Sequence, residues 1–167
     1  AGWNWFSVNV SGDDMSLPTV LSSLGTDGTF IKNQIAYAAY YAGYGWFAEG
    51  GLASIDIKNL FLLKMDNASN LTFTGTPVDY AATTISLAAG WNWISYLPQS
   101  DNDLAGELES LGTNGIFIKN QTGYARYYDG YGWFAEGGLA TMSPGEGYII
   151  QMNTADVLMY DEFNCES

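Results

Sequence analysis

The chain has 167 residues, of which 47% are hydrophobic and 16% aromatic, a profile that predicts a soluble, folded protein and excludes a disordered one. Eighteen acidic against five basic residues leave a formal charge of −13, which repels phosphates and anionic lipid heads; nucleic acid is excluded as a partner, and no apolar run of about 18 residues offers membrane insertion. Histidine is absent, which removes Ser-His-Asp and Cys-His catalysis along with the commonest transition-metal ligand.

The first motif met, Ala1-Gly2-Trp3-Asn4-Trp5, returns as Ala89-Gly90-Trp91-Asn92-Trp93, and Gly43 to Ala53, GYGWFAEGGLA, returns unchanged as Gly130 to Ala140. Between Leu24–Ala53 and Leu111–Ala140, 24 of 30 positions agree. The offset is 88 residues at the start and 87 from the helix onward, so the slip of one falls in a loop near Ser11 to Asp14. A duplication of this kind sets architecture before local propensity does, because each copy must be a structural unit. Two units are expected, residues 1–80 and residues 81–167, the second with a short polar tail. Ala1-Gly2-Trp3 starts inside a repeat motif with no basic or apolar leader region before it, so no signal peptide is expected and the chain reads as a mature product or an excised segment of a longer array.

Within each unit the chain-order expectations are as follows. Trp3, Trp5, Ser7 and Trp91, Trp93, Ser95 alternate as in a β-strand. A helix of about two turns follows, because Leu17, Leu21, Leu24 and Leu104, Leu108, Leu111 fall on one stripe, with Ser16 and Asp103 as N-caps and Gly25 and Gly112 as stops. Next come a strand over Phe30 to Gln34 (Phe117 to Gln121) and an aromatic tract, Tyr37 to Phe47 (Tyr124 to Phe134), whose glycines suit tight turns between short strands. Ser143 to Gly147 signals a turn of a final hairpin leading into Tyr148 to Met152; in the first copy that turn is replaced by Asp56 to Asn59. Leu71 to Thr76 and Thr83 to Leu87 read as linking strands with Thr76-Pro77 as the turn between them. The first unit has no counterpart of Thr83 to Leu87, which leaves an edge for a neighbouring repeat to cover. The expected class is mainly β with a minor α part: each unit an antiparallel sheet or partly open barrel with one short helix, packed by its tryptophans, with Trp3, Trp46 and Phe47 buried.

The GWNW start, the short Leu-spaced helix, IKNQ, the YYxGYGWF tract and Pro144-Gly145-Glu146-Gly147-Tyr148 resemble a GWN-type tandem β repeat of large secreted or surface-attached bacterial proteins. The resemblance spans both copies, except that the PGEGY turn occurs only in the second. It implies non-catalytic β modules, an extracellular or cell-surface location, and adhesion, display or substrate binding as the role.

The aromatic tract carries the strongest chemical signal. Flat aromatic faces can stack on sugar C–H groups while polar edges bond hydroxyls, so the candidate ligand-binding set is Tyr40, Tyr44, Trp46 and Glu49 with Tyr127, Tyr131, Trp133 and Glu136. Strand alternation places Tyr41 opposite to Tyr40, Tyr44 and Trp46. The competing reading is that these rings simply fill two small cores. Lys32/Lys119 and Glu49/Glu136 are the charged positions that recur, and pairing across neighbouring strands is their expected role. Two catalytic carboxylates at glycosidase spacing, about 5 to 9.5 Å, would require the two units to oppose each other, and no enzyme is expected.

Asp13, Asp14, Asp101 and Asp103 form small acidic clusters in the slipped loop. They are either weak Ca2+ ligands or turn and cap residues. No other cofactor is implied. Asn9, Asn67, Asn70 and Asn120 begin N-x-Ser/Thr triplets, which matter only where asparagine is glycosylated. Cys165 is the single cysteine, so no intramolecular disulfide forms. The expected function is an extracellular structural or adhesive repeat whose partners are neighbouring repeats or copies of itself; the alternative is a carbohydrate-binding module for a polysaccharide.

Overall fold

The structure, a computed structural model, describes residues 1–160; the tail Asp161 to Ser167, with Cys165, lies outside the described residues. The first half of the chain forms β1 (Gly2–Phe6), β2 (Val10–Ser11), α1 (Leu17–Val20), β3 (Gly28–Lys32), β4 (Tyr37–Tyr41), β5 (Gly45–Gly50), β6 (Phe61–Met65) and β7 (Thr76–Pro77). The second half forms β8 (Thr84–Leu87), β9 (Gly90–Ser95), β10 (Asn102–Asp103), α2 (Leu104–Glu107), β11 (Gly115–Lys119), β12 (Tyr124–Tyr128), β13 (Gly132–Phe134), β14 (Thr141–Met142), β15 (Gly147–Met152) and β16 (Asp156–Met159).

The fold is mainly β, and the repeat is visible in its topology. One five-stranded antiparallel sheet runs β1-β6-β3-β4-β5; the other runs β9-β15-β11-β12-β13, the same order in equivalent strands. Each sheet is open, with its first and last strands at the edges. Strand β15 is buried at nearly every position, as a central strand with apolar residues on both faces must be. That burial overturns the expected final hairpin. Met142 and Tyr148 flank the turn, but β14 pairs with β10, while β15 inserts between β11 and β9.

The helical segment is a single turn of α-helix continued as a 3-10 turn, Ser22–Leu24 or Glu109–Leu111, and its Leu stripe is buried in both copies. Gly25 and Gly112 stop it with φ of 55° and 52°, a region most side chains avoid. The Asp103 side chain caps α2 by accepting from the Gly106 N–H at 3.1 Å. Ser16 stands at the N-cap of α1, but its side chain makes no cap bond; Asp14 instead accepts from the Ser16 N–H at 2.9 Å and from the Thr19 hydroxyl.

Strand alternation turns the tryptophans of β1 and β9 away from the helices. Trp3 is 42% exposed and Phe47 62%, which corrects the expectation that both are buried; the core is built instead by Ile31, Ala38, Phe61, Leu63 and Met65 beneath the Leu stripe. The expected strand over Phe30 to Gln34 stops at Lys32, because the Asn33 side chain folds back to accept from the Ile35 and Ala36 N–H groups, as Asn120 does from Thr122 and Gly123. Leu71 to Thr76 forms no strand up to Gly75. Leu71 and Phe73 pack on the first core, and Thr76–Pro77 is a short strand against β2, not a turn. Thr84–Leu87 is a strand, paired with β16. Val78 and Tyr80 already belong to the second core, and so does Ile57 from the first half.

The two sheets meet edge to edge through reciprocal bonds. Gln34 accepts from the Trp93 N–H and donates to the Trp91 carbonyl on the open side of β9, at 3.0 and 2.8 Å. Gln121 does the same to Trp5 and Trp3 of β1, at 2.9 Å in both bonds. Beyond them the Ser95 N–H donates to the Lys58 carbonyl and the Ser7 N–H to the Gly145 carbonyl. The open edges of β1 and β9 are thus each covered by the other unit. The segments that diverge most between copies, Asp56 to Phe61 and Ser143 to Tyr148, lie at this seam.

Candidate functional site

Alternation along β3, β4 and β5 puts Phe30, Lys32, Tyr37, Tyr41, Phe47 and Glu49 on the face turned away from the helix, together with Trp3 of β1. The rings touch in sequence. Trp3 meets Phe30 edge-on at 5.9 Å, Phe30 stacks on Tyr37 at 5.5 Å, and Tyr41 meets Phe47 edge-on at 6.4 Å. The second sheet repeats the series: Trp91 with Phe117 at 5.8 Å, Phe117 with Tyr124 at 5.5 Å, Tyr128 with Phe134 at 6.4 Å. Such offset and edge contacts hold exposed rings in place while leaving their outer faces open.

Cations complete each face. The Lys32 ammonium lies over Trp3 at 5.4 Å, and Lys119 lies 5.9 Å from both Trp91 and Trp5, so it reaches β9 of its own sheet and β1 of the other. Arg126, where the first unit has Ala39, sits over Phe117 and pairs with Glu136 at 3.2 Å. The expected Lys–Glu pairs are therefore replaced. Strand β4 separates β3 from β5, so Lys32 finds an aromatic face while Glu49 accepts from the Tyr41 hydroxyl at 3.1 Å; Glu136 accepts from Tyr128 at 2.9 Å. Those two carboxylates hold the Tyr41 and Tyr128 phenols above their usual range, chiefly because the hydrogen bond favours the protonated form.

The sequence-predicted ligand set divides between two surfaces. Tyr40 meets Trp46 edge-on at 5.5 Å and Tyr127 meets Trp133 at 5.6 Å, both pairs half-buried on the helix side, where Trp46 and Trp133 close over Gly28 and Gly115. Tyr127, Tyr131 and Trp133 line a cleft of about 320 Å³ with Leu108 and Glu109. Tyr44 and Tyr131 sit at the tips of the β4–β5 and β12–β13 turns and are more than nine-tenths exposed. Glu49 and Glu136 belong to the opposite, outer face. Trp3, Phe30, Tyr37, Tyr41 and Phe47 were outside the predicted set, although the even spacing of Phe30 with Lys32 (i, i+2) and of Tyr37 with Tyr41 (i, i+4) carried the signal.

Among the described residues no three carboxylates converge as a metal site. Asp14 and Asp103 are engaged as the turn and cap residues above, and Asp13 and Asp101 are exposed in the same loops. No helix among the described residues is long and apolar enough to cross a membrane. Comparison of the chain with protein families, with curated proteins and with solved structures finds no match.

Proposed function

We propose that this protein is a non-catalytic structural or adhesive tandem-repeat module that works outside the cell or at its surface, against neighbouring repeats or further copies of itself. The observation that carries this reading is the outer aromatic face, present in both units with the same ring order and bordered by Lys32, Lys119 and Arg126. Rings held rigidly and left exposed form contact surfaces, because they bury large area at little cost in side-chain entropy. The likeness of GWNW and PGEGY to GWN-type repeats supports the location. The test is sedimentation at rising concentration, together with adsorption to immobilised copies. Concentration-dependent association, weakened at least tenfold by Trp3→Ala with Trp91→Ala, is expected; a monomer at millimolar concentration that binds neither copies nor surfaces would rule the reading out.

The second reading is a carbohydrate-binding module, favoured by the cleft in which Tyr127, Tyr131 and Trp133 meet. Two equivalent weak sites would act by avidity on a polysaccharide. A glycan array decides it: saturable hits abolished by Tyr44→Ala with Tyr131→Ala support it, and hits indifferent to that pair, or none, remove it.

A further inference from the structure

The charges of this acidic chain are unevenly spread. Four of its five basic residues, Lys32, Lys64, Lys119 and Arg126, stand on the outer aromatic face, where Lys64 is the cross-strand neighbour of both Trp3 and Phe30. The two carboxylates of that face are already engaged, Glu49 by Tyr41 and Glu136 by Tyr128 and Arg126. Lys32, Lys64 and Lys119 have no carboxylate within ion-pair distance among the described residues, although acidic residues outnumber basic ones by 18 to five.

The helix side of the second unit is the reverse. Asp103, Glu109 and Asp129 stand where the first unit has Ser16, Ser22 and Ala42, and all three are exposed, as is Asp101 beside them. Glu109 lines the cleft of Tyr127, Tyr131 and Trp133; Asp103 borders an adjoining hollow that Trp133 shares, and Asp129 sits on the turn that carries Tyr131. Among the described residues no cation comes within ion-pair distance of these four carboxylates. One surface thus sets rings among free ammonium groups, and the opposite surface sets rings among free carboxylates.

We propose that copies of this chain associate head to tail, the outer face of the first unit, with Lys32 and Lys64, seating on the acidic helix side of the second unit of the next copy. A symmetric contact of outer face on outer face would set the unpaired lysines against their own kind. The head-to-tail contact brings each of them to an unpaired carboxylate, so charge sets the orientation while the rings supply the buried area. Because the two surfaces belong to different units, the contact is heterologous and repeats into a row or a ring, not an isolated symmetric pair. The proposal rests on the adhesive reading and adds to it which surface meets which.

Two variants of the full chain test it by sedimentation: Lys32→Glu with Lys64→Glu, and Glu109→Lys with Asp129→Lys, the second pair sparing the Asp103 cap. Each variant alone should associate at least tenfold more weakly than the parent chain. An equimolar mixture of the two should recover the parental strength, because each supplies the charge that the other lacks. Amide NMR checks that both sheets persist in each variant, and Lys64→Glu alone, at an exposed side chain, replaces the first pair where Lys32→Glu unsettles Trp3. Parental association by the Glu109→Lys, Asp129→Lys variant on its own would overturn the proposal and leave the adhesive reading standing. A mixture no stronger than either variant would overturn it equally. A parent chain that stays monomeric at millimolar concentration would remove both.

Discussion

Asn4 and Asn92 occupy the same place in two nearly identical strands, yet their side chains are bonded differently. Asn92 satisfies both backbone groups of Ala88, while Asn4 donates once to Gly2. A net backbone–side-chain bond is worth about 1 kcal/mol, and substitutions that leave no buried group unsatisfied usually stay within about 0.5 kcal/mol. Asn92→Ala is therefore expected to lower stability by about 1–2 kcal/mol and Asn4→Ala by less than half of that, measured by urea unfolding. Equal losses would mean that the clasp on Ala88 contributes nothing. Neither difference is legible in the sequence, where both residues sit in the same AGWNW motif; it depends on what lies beside each one.

At the scale of elements, the edges of the sheets decide behaviour. Strands β1 and β9 end their sheets and carry exposed tryptophans, the combination that invites pairing with another chain. Gln34 and Gln121 cover those edges with side-chain amides that mimic a strand, each making two bonds to the other unit's backbone. Removing both, Gln34→Ala with Gln121→Ala, is expected to leave each sheet folded while freeing its edge. Light scattering should then show association at concentrations where the parent chain is unchanged; an unaltered scattering curve would show that the seam alone protects the edges. The IKNQ repeat announced that these glutamines recur, and the alternation of β4 with β5 announced the faces. What the pattern misassigned was the inward side: tryptophan is not buried merely because it is large, since the period of two sends Trp3 and Trp5 outward once Ile31, Leu63 and the helix fill the core.

The whole molecule is less symmetric than its sequence. Tyr96, Tyr148 and Tyr160 are packed edge-on in the second core, and burial holds all three phenols far above the usual value of 10.0. Their places in the first unit are taken by Val8, Phe61 and Phe73, which do not titrate. Because the folded state favours the protonated phenol, this stabilisation is complete below about pH 10 and is lost as pH rises above it, where the unfolded chain ionises and the folded one does not. Alkaline unfolding should therefore begin in the second unit. Amide NMR between pH 8 and strong alkali is expected to lose β9, β15 and β16 before β1, β3 and β6, with tyrosine ionisation coincident with the first loss. Simultaneous loss would show that the seam couples the two units into one cooperative body.

Two copies, a mainly β class, the Leu-striped helical turns and the division of the tyrosine tract into faces were all determined by the sequence alone, because repetition and periodicity are local in the chain and each copy faces the same steric rules. The tertiary structure decided what periodicity cannot address: that β15 enters the middle of its sheet instead of closing a hairpin, that each unit shields the other's first-strand edge, and that Lys32 faces a ring and not Glu49. Those outcomes depend on which distant segment arrives at a surface. Equivalent positions of the two copies acquire different surroundings where distant residues differ, as Phe61 stands in the first core where Tyr148 packs on Tyr96 in the second.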